Sequence, residues 1–167
     1  MAAWLLVIMI AWYTPRTTPL ESAEAMRDRF ERIAQDVATT VERDDPIAGL
    51  TREQTAALML SVSLHESSWR VDVDYGHKRS ELGAVCIMQL LGRVPREAAT
   101  DRLVCLREGL KRLKQSWAVC SRGPETRRLA AYATGNCSEG LKESEAMIVQ
   151  WRRWLAAHPP PRRVAAR

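Results

Sequence analysis

The chain has 167 residues, 46% of them hydrophobic and 27% charged, a composition ordinary for one soluble globular domain with a sizeable core. The formal net charge of +5 sits at one end: residues 151–167 carry five Arg (152, 153, 162, 163 and 167) and no acid, while the rest balances 20 basic against 20 acidic side chains. No aromatic-interleaved basic patch accompanies that charge, which excludes a nucleic-acid-binding reading; a basic end either holds a protein near an anionic surface or is a solvated tail.

In chain order, Ala2–Tyr13 is apolar throughout but too short to span a bilayer, and it lacks the positive flank and small-residue cleavage site of a signal peptide. Trp4, Ile8 and Ala11 recur at helical steps, flanked by Leu5 and Trp12, so a first helix packed into the domain is expected; a membrane anchor is the alternative. Pro15 breaks it. Thr18-Pro19-Leu20-Glu21 then has the form of a capping box, opening an amphipathic helix through Leu20, Ala23, Met26, Phe30, Ile33, Val37 and Val41. Asp44–Gly49 ends that helix, and Thr51-Arg52-Glu53-Gln54 caps the next. Its interior (Ala56, Ala57, Leu58, Met59, Leu60, Val62, Leu64) is apolar nearly all round, as in a helix buried at a domain centre. His65 and Glu66 close it.

Between Val71 and Leu90 the helical period is lost. Val71–Tyr75 alternates, Gly76 and Gly83 punctuate, and Val85–Leu90 is short and apolar, which fits a small hairpin or irregular β region. From Asp101 the period returns with Leu103, Leu106, Leu110, Leu113, Trp117 and Cys120. Gly123-Pro124 starts a short helix through Tyr132, ended by Gly135-Asn136, and Ser144 is placed to cap a last helix carrying Met147, Ile148, Trp151, Trp154 and Leu155. Six Trp and three Tyr against one Phe suit sugar stacking where exposed and core packing where helically spaced.

Cys86, Cys105, Cys120 and Cys137 form no CxxC pair, and their spacings do not describe a zinc site. The even count fits two disulfides and an oxidising compartment, although cysteine is also a common small core residue. Of three possible connectivities, Cys86–Cys105 and Cys120–Cys137 is the one expected. Cys105 lies off the leucine face of its helix, free to meet the hairpin, and Cys120 ends that helix close in sequence to the Gly135-Asn136-Cys137 turn.

Glu66 is the residue that calls for a chemical explanation. A carboxylate ending a buried apolar helix has its charged form disfavoured by desolvation, which raises its pKa toward that of a proton donor at neutral pH; an exposed Glu at a helix end is the bland alternative. His65-Glu66 begins like the HExxH metalloprotease motif, but Trp69 stands where the second His belongs, and no metal or cofactor is expected. Asp72, Asp74 and Glu81 are the only other acids nearby, and Asp72 and Asp74 alternate as solvated strand residues should.

Three segments in order resemble the signature set of the soluble lytic transglycosylase and goose-type lysozyme family. Leu64-His65-Glu66-Ser67 is similar to its Glu-Ser at the end of the central helix. Gly83-Ala84-Val85-Cys86-Ile87-Met88-Gln89 is similar to its Gly-x-x-Gly-Leu-Met-Gln, and Ala131-Tyr132-Ala133-Thr134-Gly135-Asn136 to its Ala-Tyr-Asn-Ala-Gly. Cys86 replaces the family's second Gly, Thr134 departs from the Asn-Ala pattern, and no Pro-x-Thr-Ala follows Gln89. The resemblance covers about half the chain, over residues 60–137.

The resemblance implies a mainly α, lysozyme-like domain over residues 1–157 with a small β-hairpin beside the groove, followed by a basic Pro/Arg-rich tail over 158–167. It implies cleavage of the N-acetylmuramic acid–N-acetylglucosamine bond of peptidoglycan by Glu66, acting outside the cytoplasm as a monomer without a membrane span. Ser67 would hydrogen-bond substrate or carboxylate, Met88 and Gln89 would line the groove, and Tyr132 would orient Glu66. Two alternatives stand beside this reading: a hydrolytic muramidase using Asp72 or Asp74, and a non-catalytic wall-binding or assembly module on the same fold.

Overall fold

The computed structural model describes residues 1–13 and 21–161. Its elements are α1 (Ala2–Trp12), α2 (Ala23–Arg43), α3 (Arg52–Ser67), α4 (Val71–Asp74), α5 (Arg102–Val119), α6 (Ala130–Thr134) and α7 (Leu141–Ala157), with 3-10 turns at Arg96–Ala99 and Glu125–Arg127. The architecture is mainly helical, as the periodicity implies.

Helix α3 starts where its sequence says it should. The Thr51 hydroxyl accepts the Gln54 backbone N–H at 3.2 Å, and the Gln54 side chain accepts the Thr51 N–H at 2.8 Å, a closed capping box. Residues 55–63 are buried all round, with α2 and α7 packed on α3. The few polar groups in that run each have a partner. Ser61 Oγ donates to the Met147 carbonyl at 2.7 Å, Thr55 Oγ1 accepts the Ile47 N–H, and Trp151 Nε1 donates to the Gln54 carbonyl at 2.9 Å.

Helix α1 packs into the same core through Leu5, Ile8 and Met9, with Val7 and Ile10 turned outward. Its inward face is therefore rotated from the Trp4–Ile8–Ala11 line expected from spacing; Ala11 is exposed. An all-apolar helix carries no internal cue to its inward face, so its neighbour α2 decides. Trp4 Nε1 donates to the His158 carbonyl at 3.0 Å and ties the start of the chain to the end of α7. Among the described residues no helix is long and apolar enough to cross a membrane.

Three sequence expectations are corrected. The capping box at Thr18 lies largely outside the described residues, but α2 begins only at Ala23, where Ser22 Oγ accepts the Ala25 N–H; Glu21 is free to pair with Arg29. Ser144 is not a cap but an interior residue of α7. The helix starts from Gly140 in the left-handed region, and Ser144 Oγ donates to Thr126 O at 2.6 Å while accepting the Leu129 N–H at 3.1 Å. The alternating Val71–Tyr75 forms one helical turn rather than a strand, because a period of two over five residues cannot be told from a single turn with Val73 and Asp74 inward. The described residues contain no strand; Val85 and Leu90 alone form an antiparallel bridge, exchanging backbone bonds of 3.1 and 2.9 Å.

Asp74, expected to be solvated, is buried. Arg102 donates to it through Nε and Nη2, both at 2.7 Å, and reaches Asp36 at 2.7 Å; Arg29 Nη1 lies 3.7 Å from Asp74 while its other nitrogens hold Glu21. This network fixes α4 against α2 and α5. Its legible signal was Arg29, a charged residue on the apolar face of α2 beside Met26, Phe30 and Ile33. Two disulfides, Cys86–Cys105 and Cys120–Cys137, complete the frame with the expected connectivity.

Asp74→Ala leaves Arg102 and Arg29 without their buried counter-charge and is expected to lower unfolding free energy by about 3–5 kcal/mol in a urea titration. Deleting residues 1–13 uncovers the seat of Leu5, Ile8 and Met9, side chains worth roughly 1.5–3 kcal/mol each when buried. Calorimetry is expected to show a melting temperature at least several degrees lower, or no soluble product. Unchanged melting would make α1 an appendage.

Candidate active site

Glu66 is the penultimate residue of α3, and the helix ends sharply behind it. Ser68 (φ 52°) and Trp69 (φ 47°) both take left-handed backbone, which turns the chain away within two residues. A hydroxyl chain holds that corner. Ser67 Oγ donates to the Ser63 carbonyl at 2.7 Å and accepts the Trp69 N–H at 3.2 Å; Ser63 Oγ accepts the indole N–H of the buried Trp69 at 2.8 Å. Ser67 is thus committed to the helix end, and its hydroxyl is not presented to a ligand.

The Glu66 side chain is mostly buried, and no hydrogen bond or ion pair to its carboxylate is present among the described residues. Burial alone pushes its pKa from 4.5 to about 7. It is therefore half protonated near neutrality, able to give a proton and take one back.

The turn 85–90 supports this site. Cys86 (φ 59°) and Gln89 (φ 45°) are left-handed, and Gln89 returns both its backbone N–H and its side-chain NH2 to the Cys86 carbonyl, each at 3.0 Å. Cys86 has the positive φ that glycine adopts most readily. The Met88 side chain is fully buried, seated on Gly109 of α5, where an added Cβ would come 2.7 Å from Met88 Cε. Met88 is a core side chain; its contribution to the site is its carbonyl, which accepts the Tyr132 hydroxyl at 2.6 Å.

Tyr132 in turn is fixed from behind: its N–H meets Ser116 Oγ at 3.0 Å. Burial, then the charge of Glu66, push its hydroxyl well above its usual range, with Arg112 opposing. Tyr132 is thus close enough to sense Glu66, yet its hydrogen bond goes to Met88, so any influence on Glu66 acts through space and packing. The arginine was not anticipated: Arg112 donates to the carbonyls of Leu91 at 2.7 Å and Arg93 at 3.2 Å, clamping the chain that leaves the turn. Its only sequence signal was an arginine between Leu110 and Leu113, too common to single out.

The remaining acids differ. Partial burial would raise Asp72, but Arg70, by hydrogen bond and charge, and Lys78 outweigh it and hold Asp72 below its ordinary value. Asp74 is occupied by Arg102 and closed to solvent. Among the described residues no group of three or more His, Cys, Asp or Glu is arranged to hold a metal ion. No protein-family model, curated protein or solved structure matched the chain.

A raised carboxyl pKa makes stability pH-dependent with a definite sign. The folded protein holds the Glu66 proton more tightly than the unfolded chain, so the contribution of Glu66 to stability is fully present below about 4.5 and is lost as pH rises through about 7. Glu66→Gln removes that decline. The variant is expected to match wild type near pH 4 and exceed it by up to about 3 kcal/mol at pH 8 in urea titrations. A difference that does not change with pH would show that Glu66 is not held neutral by burial.

Proposed function

We propose that the chain is a peptidoglycan lytic transglycosylase on a lysozyme-like helical scaffold, with Glu66 as its general acid and base. The observation that carries the reading is a mostly buried carboxyl at the end of the central helix, with no charge partner among the described residues and its pKa raised to about 7. Support comes from the three motifs: their residues meet at one place in the fold, with Tyr132 bonded to the Met88 carbonyl and electrostatically coupled to Glu66. Where this reading expects a hairpin, the described residues have a turn closed by one bridge, Val85 with Leu90. Two disulfides favour an oxidising compartment outside the cytoplasm.

In this reading Glu66, protonated, donates to the glycosidic oxygen as the bond to the muramoyl C1 breaks. The resulting carboxylate then accepts the proton of the muramoyl 6-hydroxyl as that oxygen closes on C1. The product is a 1,6-anhydro sugar, Glu66 ends protonated, and no water is consumed. Such a cycle needs one carboxyl, whereas hydrolytic glycosidases ordinarily need two. Gln89, half-buried with its amide nitrogen turned into its own turn, retains its carbonyl oxygen as an acceptor for substrate.

Digestion of purified sacculi with mass analysis of the products tests the proposal. Expected are anhydro-muropeptides, one water lighter than hydrolytic products, and activity that falls as pH rises through about 7. Glu66→Gln is expected to fold and to lose about 10²–10⁴-fold in rate. Products carrying the extra water would point to hydrolysis, with Asp72 as the acid left to activate it. No cleavage at all would leave a wall-binding module.

A further inference from the structure

We infer that the Cys86–Cys105 disulfide is a positioning element of the Glu66 site: it holds the 85–90 turn under Tyr132, and without it the site loses activity while the fold persists. The inference rests on the functional reading above and adds a positioning pair to it.

The turn is held against its own backbone preferences. Cys86 and Gln89, neither of them glycine, both lie in the left-handed region, and such conformations persist only where the surroundings over-determine them. Within the turn, regular structure supplies one bridge, Val85 with Leu90. What ties it to the rest of the molecule is α5: the disulfide to Cys105, the Met88 side chain seated on Gly109, and, just after the turn, Arg112 holding the Leu91 and Arg93 carbonyls. Cys105, Gly109 and Arg112 recur at three- and four-residue steps, so the turn is docked along one stripe of that helix. The disulfide is the covalent member of the three, and it is attached to a left-handed residue.

The other end of the chain of contacts reaches the acid. The turn offers the Met88 carbonyl to the Tyr132 hydroxyl, and the partly buried Tyr132 is electrostatically coupled to Glu66. Tyr132 cannot supply the missing rigidity itself, since its backbone is anchored to Ser116 on a different part of α5. The charged and titratable groups coupled to this spot are Tyr132 from α6 and Arg112 from α5. If the turn relaxes, Tyr132 loses its acceptor and Glu66 gains water. The second disulfide, Cys120–Cys137, joins the end of α5 to the chain beyond α6 and does not touch the turn.

The test compares wild type, Cys86→Ala/Cys105→Ala and Cys120→Ala/Cys137→Ala. Helical content is followed by circular dichroism, sacculus digestion gives the rate, and the Glu66 carboxyl is titrated by carbon-13 NMR. The first double variant is expected to keep its helical spectrum and lose at least tenfold in turnover, with Glu66 titrating well below 7; the second is expected to stay within threefold of wild type. Full activity with Glu66 still titrating near 7 in the Cys86→Ala/Cys105→Ala protein would overturn the inference. So would loss of activity that only tracks loss of the helical spectrum across Cys86→Ala/Cys105→Ala and Cys86→Ser/Cys105→Ser, which also decides the matter should either variant fail to fold. If oxidised wild type cleaves no glycan, the functional reading falls, and the NMR titration still decides whether the bridge positions Glu66.

Discussion

The constraint on which the structure depends is the burial of helix α3 on all sides. A helix that is apolar around its whole circumference must be covered around its whole circumference, and α2 and α7 lie against it, with α1 and α5 packed on α2. Ser61 of α3 donates to the Met147 carbonyl of α7, and Trp151 of α7 donates to the Gln54 carbonyl of α3, so α3 is anchored as well as enclosed. Whatever ends that helix inherits its low-dielectric surroundings. Glu66 ends it, and its shifted titration follows from that position without help from any charge.

Two buried carboxylates in one small domain illustrate opposite solutions to the same problem. Asp74 is buried as an ion, its charge balanced by Arg102 and approached by Arg29, and the arrangement stitches three helices together. Glu66 is mostly buried and has no ion pair among the described residues, so burial favours its neutral form. The first has a structural role and is chemically closed. The second costs stability near neutral pH and in exchange holds a labile proton, a stability–function opposition expected of a working site. The muramidase alternative loses Asp74 for the same reason: a carboxylate saturated by guanidinium and shut off from solvent cannot activate water.

Left-handed residues mark the edges of the site. Ser68 and Trp69 turn the chain immediately after Glu66, and Cys86 and Gln89 shape the turn that faces Tyr132. Each pair is held by contacts that leave little freedom: the Ser63–Ser67–Trp69 hydroxyl chain at the first, the disulfide and the self-bonded Gln89 amide at the second. Side chains that a motif alone would assign to a ligand, Ser67 and Met88, turn out to build these corners.

The sequence by itself determined the long helices, the capping box at Thr51 and the buried character of α3, and it singled out Glu66 as the acid to be explained. All of these follow from local spacing or from chemistry repeated over several turns, where many residues vote for the same answer. The tertiary structure alone decided the inward face of α1, the helical turn at Val71–Asp74, the burial of Asp74, and the interior role of Ser144. In each of these the local pattern was too short or too uniform to choose: an all-apolar helix has no distinct face, five alternating residues fit a strand or a single turn, and a serine near a helix start reads as a cap. Partners distant in the chain made the choice. Arg102 stands 28 residues from the Asp74 it holds, and the Met88 carbonyl lies 44 from the Tyr132 hydroxyl it receives, separations that no local spacing encodes.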